Sequence, residues 1–354
     1  MPWVAKSSKL LIRMQDDLFG ARAAPPPPPR SAKKTQGVQA SVPTDAVRSL
    51  AQVMPTALRM GVSTWSYPGW EGLVWDGVYD ASVLSRTGLS ALSQHPLMRT
   101  VCVDRTFWRP LSVEQYAKMA AQVPEDFRFV VKCPNVVTDA LVRSEEGKAQ
   151  QRNTAFLNAQ LAVDQFVMPT AQGLGAKLGV LVFQLSPLPW EVLSRPTLLF
   201  SQLAEVLAAT RQALQDTPQV IVAVEVRDPL LLEEGFVQVL KAHGATMCLG
   251  LHGKMPPVEK QLPLLRKLWP TPLVCRWNLN LSFGPFGYAD AQEAHQPFNE
   301  IRTPDVHTRL VLANTIHGIT QAGQAAFVTI SNDAEGCAPR SIQLLAEQLQ
   351  ILKS

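Results

Sequence analysis

The sequence predicts an α/β fold, a single (β/α)8 TIM-type barrel with a disordered Pro-rich N-terminal tail. Three observations lead there. Eight short runs recur from about residue 57 onward, and nearly every position in them is apolar. Unbroken runs of this kind indicate strands buried on both faces, as in a parallel sheet, whereas half-exposed strands alternate apolar with polar. Between the runs lie segments with apolar residues at three- and four-residue spacing, the helical pattern. Alternating strands and helices joined by right-handed crossovers close most economically as a barrel. An open doubly wound sheet is the alternative, and the absence of GxGxxG after the first run argues against its dinucleotide-binding form.

The tail comes first. The chain has 354 residues, 46% of them apolar and 18% charged, which suffices for a large core and excludes full-length disorder. Residues 1–35 hold Lys6, Lys9, Arg13, Arg22, Arg30, Lys33 and Lys34 against Asp16 and Asp17, a balance of +5. Of the 33 basic and 29 acidic residues in the whole chain, the remainder therefore holds 26 and 27. The alkaline pI of about 8.8 belongs to the tail. Ala21 to Gly37 reads ARAAPPPPPRSAKKTQG, an extended polyproline II linker without apolar periodicity. We divide the chain into a flexible tail over 1–55 and a barrel over 56–354. Within the tail, Leu10–Gly20 is short and amphipathic, and Asp45–Val53 forms a leading helix with Asp45 as its cap.

In the barrel, the first run, Leu58–Ser63, ends in Ser63-Thr64-Trp65, and the second, Thr100–Asp104, ends in Asp104. A helix over Ser112–Gln122, capped by Ser112, leads to Phe127–Lys132. The helix Gln150–Met168 precedes Leu178–Gln184. Leu199, Leu203, Val206, Leu207 and Leu214 then share one face of the helix Leu198–Leu214. The run Val220–Val226 carries Glu225 and is followed by Arg227; the helix Glu233–His243 leads to Ala245–Leu251 and His252. Pro272–Trp277 carries Arg276 and is followed by Asn278. The helix Asp305–Ile319, the run Ala326–Ser331 with Asn332 and Asp333 beyond it, and the helix Arg340–Leu352 complete the pattern.

A parallel barrel works at the rim where its strands end, and here those ends are strongly polar. Lys132 suits a phosphate-binding point charge, or an amine nucleophile where burial lowers its pKa; alternatively it joins an ion network with Glu225 or Asp104. Glu225 and Arg227, two apart on one strand, point the same way, and inward is expected. An inward carboxylate beside Arg227, Arg276 and Lys132 stays ionised and can act as a base, or it neutralises a plug at the mouth. Catalytic roles fall to Glu225, Lys132 and Asp104. Arg227 and Arg276 offer two forks for a carboxylate or phosphate. Trp65, Tyr67 and Trp108 would wall in the ligand, with Gln184 and Asn332 completing the rim.

The six histidines are scattered, so no metal is expected, nor any cofactor. GxSxG and P-loop patterns are absent. Five cysteines without CxxC spacing read as buried reduced thiols. No apolar stretch reaches the roughly 18 residues of a membrane span, and the N-terminus lacks the apolar core of a secretory signal. A cytoplasmic protein without a membrane partner is expected.

Two resemblances add to this. The chain resembles the YecE-like family, domain of unknown function 72, over about residues 60–350. The likeness rests on Gly61-Val-Ser-Thr-Trp65-Ser66-Tyr67-Pro-Gly-Trp70, Asp104-Arg-Thr106-Phe107-Trp108-Arg-Pro110, Phe127-Arg-Phe-Val-Val-Lys132, Phe183-Gln184-Leu-Ser-Pro187, Val224-Glu225-Val-Arg227-Asp-Pro229, Arg276 with Tyr288, and Ile330-Ser-Asn332 with Ala338-Pro339. It implies a TIM barrel and no particular chemistry. The chain departs from the family pattern at Cys102, where glutamate is usual, at Asp104 for asparagine, and at Asp139 and Asp228 for histidine. The second resemblance lies in the tail. Gln15-Asp16-Asp17-Leu18-Phe19 is similar to the peptide by which bacterial replication and repair proteins dock on the DNA sliding clamp, Gln15, Leu18 and Phe19 filling adjacent pockets. A near-neutral barrel does not suit duplex DNA, although the tail adds a weak, salt-sensitive attraction. The expected function is a hydrolase- or lyase-type enzyme acting on a small phosphorylated or carboxylated substrate. The alternative is a non-catalytic adaptor in DNA maintenance, tethered to the sliding clamp.

Overall fold

Eight strands pair in parallel and in chain order around a closed barrel, in the computed structural model that describes residues 37–144 and 149–353. They are β1 (Leu58–Val62), β2 (Met98–Val103), β3 (Arg128–Lys132), β6 (Leu178–Gln184), β7 (Ile221–Glu225), β8 (Thr246–Leu251), β9 (Leu273–Trp277) and β10 (Ala326–Ile330). Strand β10 returns to pair with β1, Leu58 opposite Ala326 through Val62 opposite Ile330. Every expected strand is present, and the predicted barrel is the observed one. Gly61 leaves no room for a side chain between β1 and β2, because a Cβ there would lie 1.8 Å from the carbonyl oxygen of Thr100.

The barrel interior explains the polar mouth. Its lower part is filled by Cys102, Val130, Val180, Val182, Ala223, Cys248, Val274 and Phe327, packed as one cluster separate from the helix-facing core. Side chains two residues apart on a strand share a face. Five of the strands therefore continue the same inward face with a polar residue: Cys102 with Asp104, Val130 with Lys132, Val182 with Gln184, Ala223 with Glu225 and then Arg227, Val274 with Arg276. Glu225 and Arg227 point inward, as their spacing predicts. All five cysteines are buried and unpaired.

The helices follow the periodicity with local corrections. Ser112 caps Val113–Ala120 in a full capping box with Gln115. The leading helix Asp45–Val53 is capped by Thr44, whose hydroxyl accepts from the backbone of Val47 at 3.3 Å; Asp45 is its first residue. Residues 37–55, which the sequence assigns to the tail, are seated on the barrel: Val38, Val47 and Leu50 are buried, and Ser41 pairs with Val74 along the backbone. The helix expected over Gln150–Met168 starts later. Ala149–Arg152 is instead strand β5 of an antiparallel hairpin with β4 (Leu141–Arg143). Asn153 is held by the carbonyls of Val136 and Asp139, and Asn158 caps the helix that follows. Helices with no earlier counterpart include Ala81–Thr87, Val258–Lys267 and Tyr288–His295; the last two lie next to prolines and short polar stretches that obscure their period. The Gln15, Leu18 and Phe19 peptide and the proline linker lie outside the described residues.

Candidate functional site

The strand ends converge on a cavity of about 220 Å³ at the C-terminal mouth of the barrel, lined among others by Trp65, Tyr67, Asp104, Arg105, Lys132 and Asp333. Its floor is a hydrogen-bonded ion cluster. Arg276 gives one nitrogen to Glu225 at 2.6 Å and to Gln184 at 3.0 Å, and the other to Asp104 at 2.6 Å. Arg227 pairs with the second oxygen of Glu225 at 2.7 Å and donates to Gln184 at 2.9 Å. Gly250 makes room for this cluster, since a Cβ there would lie 2.9 Å from the Glu225 carboxylate. Two guanidiniums against two carboxylates leave the floor neutral.

That arrangement sorts the expected roles. Glu225 is fully buried with both oxygens engaged. Burial opposes its ionisation, yet Arg227 and Arg276 outweigh this and hold it down at about 2. Such a carboxylate is a poor proton acceptor and serves as the counter-ion that fixes the two arginines. Asp104 differs: one oxygen receives Arg276 and the Cys102 thiol, while its side chain is 27% exposed. Its other oxygen makes no hydrogen bond among the described residues. Arg227 and Arg276 line the cavity but are already paired, so they hold its shape more than they wait for an anion.

Two cations lining the cavity have no carboxylate partner among the described residues. Lys132 ends β3; Thr106, the threonine of the Asp104-Arg-Thr106-Phe107 motif, donates to the Lys132 carbonyl at 2.5 Å, and the Lys132 amine sits 3.6 Å from the Phe107 ring centre. Burial lowers this amine to about 7, against the opposing pull of Asp104. A ring face attracts an ammonium by about 0.5–2 kcal/mol, too little to offset the loss of water. Arg105, which sequence reasoning passed over, lies one residue beyond Asp104. It stacks over Trp65 at 5.6 Å, and its Nε is buried without a partner. Its signal was its position inside the motif. Asp333 was noted only as a neighbour of Asn332; burial raises its carboxyl to about 7, and one of its oxygens has no hydrogen bond.

The remaining expected residues divide. Trp65, Tyr67 and Gln184 line the cavity. Trp108 is 51% exposed and stands edge-on to Phe107, away from the cavity. Asn332 is buried behind it, accepting from Trp70 Nε1 at 3.3 Å and the backbone of Ala338 at 2.8 Å, so it ties the last loop to the first. His252 packs beside Tyr288, and burial together with Arg227 holds it neutral, with a pKa of about 3. Asp139 is paired with Arg143 at 2.7 Å, and Asp228 receives the backbone of Leu188 at 2.8 Å. Both aspartates are structural. Among the described residues no three His, Cys, Asp or Glu side chains converge to hold a metal ion, and no helix is long and apolar enough to cross a membrane.

Fold and site together define a TIM barrel with a small, mixed-charge cavity at its strand C-terminal end. The profile of the family described as protein of unknown function DUF72 matches residues 59–354, and the chain belongs to that family. It is similar in structure to a DUF72 family protein from Enterococcus faecalis V583, with 15% identity, a TM-score of 0.55, and coverage of 83% of this chain and 95% of that one. A DUF72 family protein from Thermotoga maritima MSB8 shares 18% identity with a TM-score of 0.51, covering 83% of this chain and 99% of that one. A comparison with curated proteins gives no match.

Proposed function

We propose that the protein is an enzyme of hydrolase or lyase type that acts on a small phosphorylated or carboxylated substrate in the barrel mouth. One observation carries the reading: of the four cations lining the cavity, Arg227 and Arg276 are paired with carboxylates while Arg105 and Lys132 are not. A pocket whose Asp104 and Glu225 are spent on two arginines, with Arg105 left without a carboxylate partner among the described residues, favours an anionic guest. Arg105, with the Trp65 ring beneath it, takes the anion; its planar fork matches a carboxylate or phosphate. Asp104 accepts a proton, the Asp333 carboxyl gives one, and Lys132 acts at the reacting centre. Burial brings the Lys132 amine and the Asp333 carboxyl each to about 7, and shifts of that kind mark groups that handle protons. Glu225, Arg227, Arg276 and Gln184 form the rigid base on which these groups stand.

The test is a thermal-shift screen of phosphorylated and carboxylated metabolites, since a ligand of the folded state raises the unfolding midpoint by mass action. Anionic compounds should raise the midpoint of the wild type, and the shift should shrink at least tenfold in ligand affinity in Arg105→Met. Shifts of equal size in the two proteins, or hits confined to uncharged compounds, would overturn the reading.

A further inference from the structure

The position of Lys132 says more than that it is a cation. Its side chain is 9% exposed, opens on the cavity, and makes no hydrogen bond or ion pair from its amine among the described residues. The amine lies over the Phe107 ring face, 3.6 Å from its centre. Lysines that serve structure are tied to a carboxylate or to carbonyls, as Lys177 is to Ala120, Val123 and Glu125. Lys132 has the carboxylates of Asp104 and Glu225 close by, yet both are turned to arginines. The cluster thus leaves the amine without a carboxylate partner among the described residues, and burial lowers it to about 7. An amine kept neutral next to a cavity is a nucleophile.

We infer that Lys132 forms an imine with the carbonyl carbon of a small aldehyde, ketone or 2-oxo acid that carries a carboxylate or phosphate. This deepens the reading above and rests on it for the anionic end, which Arg105 holds. The Lys132 lone pair adds to the carbonyl carbon, and the carbonyl π pair moves to oxygen, which takes the proton of the Asp333 carboxyl. The added nitrogen passes one proton to Asp104. The hydroxyl then leaves as water, taking back the proton that Asp104 received, while the nitrogen lone pair forms the carbon–nitrogen double bond; the N-protonated imine carries one positive charge, balanced by the Asp333 carboxylate. Amine and carbonyl give imine and water, with no change of oxidation state. A cationic imine attracts electrons from the adjacent carbon, which is the chemistry a lyase or decarboxylase needs at that bond. The cavity of about 220 Å³ is below the roughly 300–1,000 Å³ of drug-sized sites, and it suits a molecule of a few carbons.

The experiment is reductive trapping. The full chain is incubated at pH 7 with sodium cyanoborohydride and, in separate arms, pyruvate, glyoxylate, dihydroxyacetone phosphate and glyceraldehyde 3-phosphate, and peptides are mapped by mass spectrometry. At least one arm should modify Lys132 ten or more times faster than the lysine at position 118 on the neighbouring helix, with a rate that climbs through pH 7. Lys132→Arg should lose that adduct while melting as a folded protein, and Arg105→Met should slow it. Equal labelling of Lys132 and Lys118 in every arm overturns the imine. If the same compounds still raise the melting midpoint in an Arg105-dependent way, the anion site stands and the covalent step alone is withdrawn; if neither occurs, both fall.

Discussion

At the residue scale, the site turns on which charges are matched. Glu225 and Asp104 neutralise Arg227 and Arg276, and the groups that remain, Lys132 and Asp333, have each been moved by burial to about 7. The sequence placed most of these residues at one rim, because strand ends can be read from apolar runs. It left open which arginine meets which carboxylate, since that depends on the lateral order of strands and on Gly250 making room for Glu225. Arg105 and Asp333 escaped for a related reason: they sit two and three residues past the ends of β2 and β10, where direction is set by the loop and not by strand alternation. Asp333 also makes a testable pH signature. Its ordinary pKa is 3.8, and burial raises it to about 7 in the fold. Between those values the folded state holds a proton that the unfolded chain has released. Stability from this group is therefore present at low pH and lost as pH rises through 7. Asp333→Asn has no such loss. Urea midpoints at pH 4.5 and 7.5 should show the variant gaining on the wild type at the higher pH; a constant difference would mean that Asp333 is ionised throughout.

At the element scale, the helix termini and close strand contacts carry different costs. The capping box of Ser112 and Gln115 satisfies backbone donors that solvent could also reach, and Ser112→Ala should lower stability by about 1 kcal/mol. Gly61→Ala is another matter. Its new Cβ would fall 1.8 Å from a backbone carbonyl of β2, so β1 must separate from its neighbour β2 within the barrel wall. Overpacking of that kind costs about 1–3 kcal/mol or more, and denaturant unfolding should rank Gly61→Ala clearly below Ser112→Ala. The reverse order would mean that β1 shifts freely. Elements set by period or by a cap residue were readable in advance. The hairpin β4–β5 was not, because Gln150–Arg152 has no strand pattern and is fixed by the tertiary anchoring of Asn153.

At the scale of the whole molecule, the question is where the folded body begins. Composition places the boundary after residue 55, since charge and proline set the early chain apart, but burial ties the chain to the barrel already at Val38. Val38, Val47 and Leu50 are between 4% and 7% exposed, the helix Asp45–Val53 packs against the C-terminal helix Ala338–Ile351, and the Lys353 ammonium donates to the Val53 carbonyl. The first and last helices thus hold each other beside the β1–β10 seam, and loosening one should loosen barrel closure. Leu50→Ala removes side-chain volume from a site 5% exposed, and buried Leu→Ala changes cost about 2–5 kcal/mol. Val42→Ala, at a position 80% exposed, should change nothing measurable. Both lie in the stretch that composition assigns to the tail, so the pair separates the two boundaries. A urea midpoint lowered in Leu50→Ala alone, with one cooperative transition kept, places the leading helix inside the barrel's folding unit. Equal midpoints, or a separate early transition for the helix, would return the boundary to residue 55.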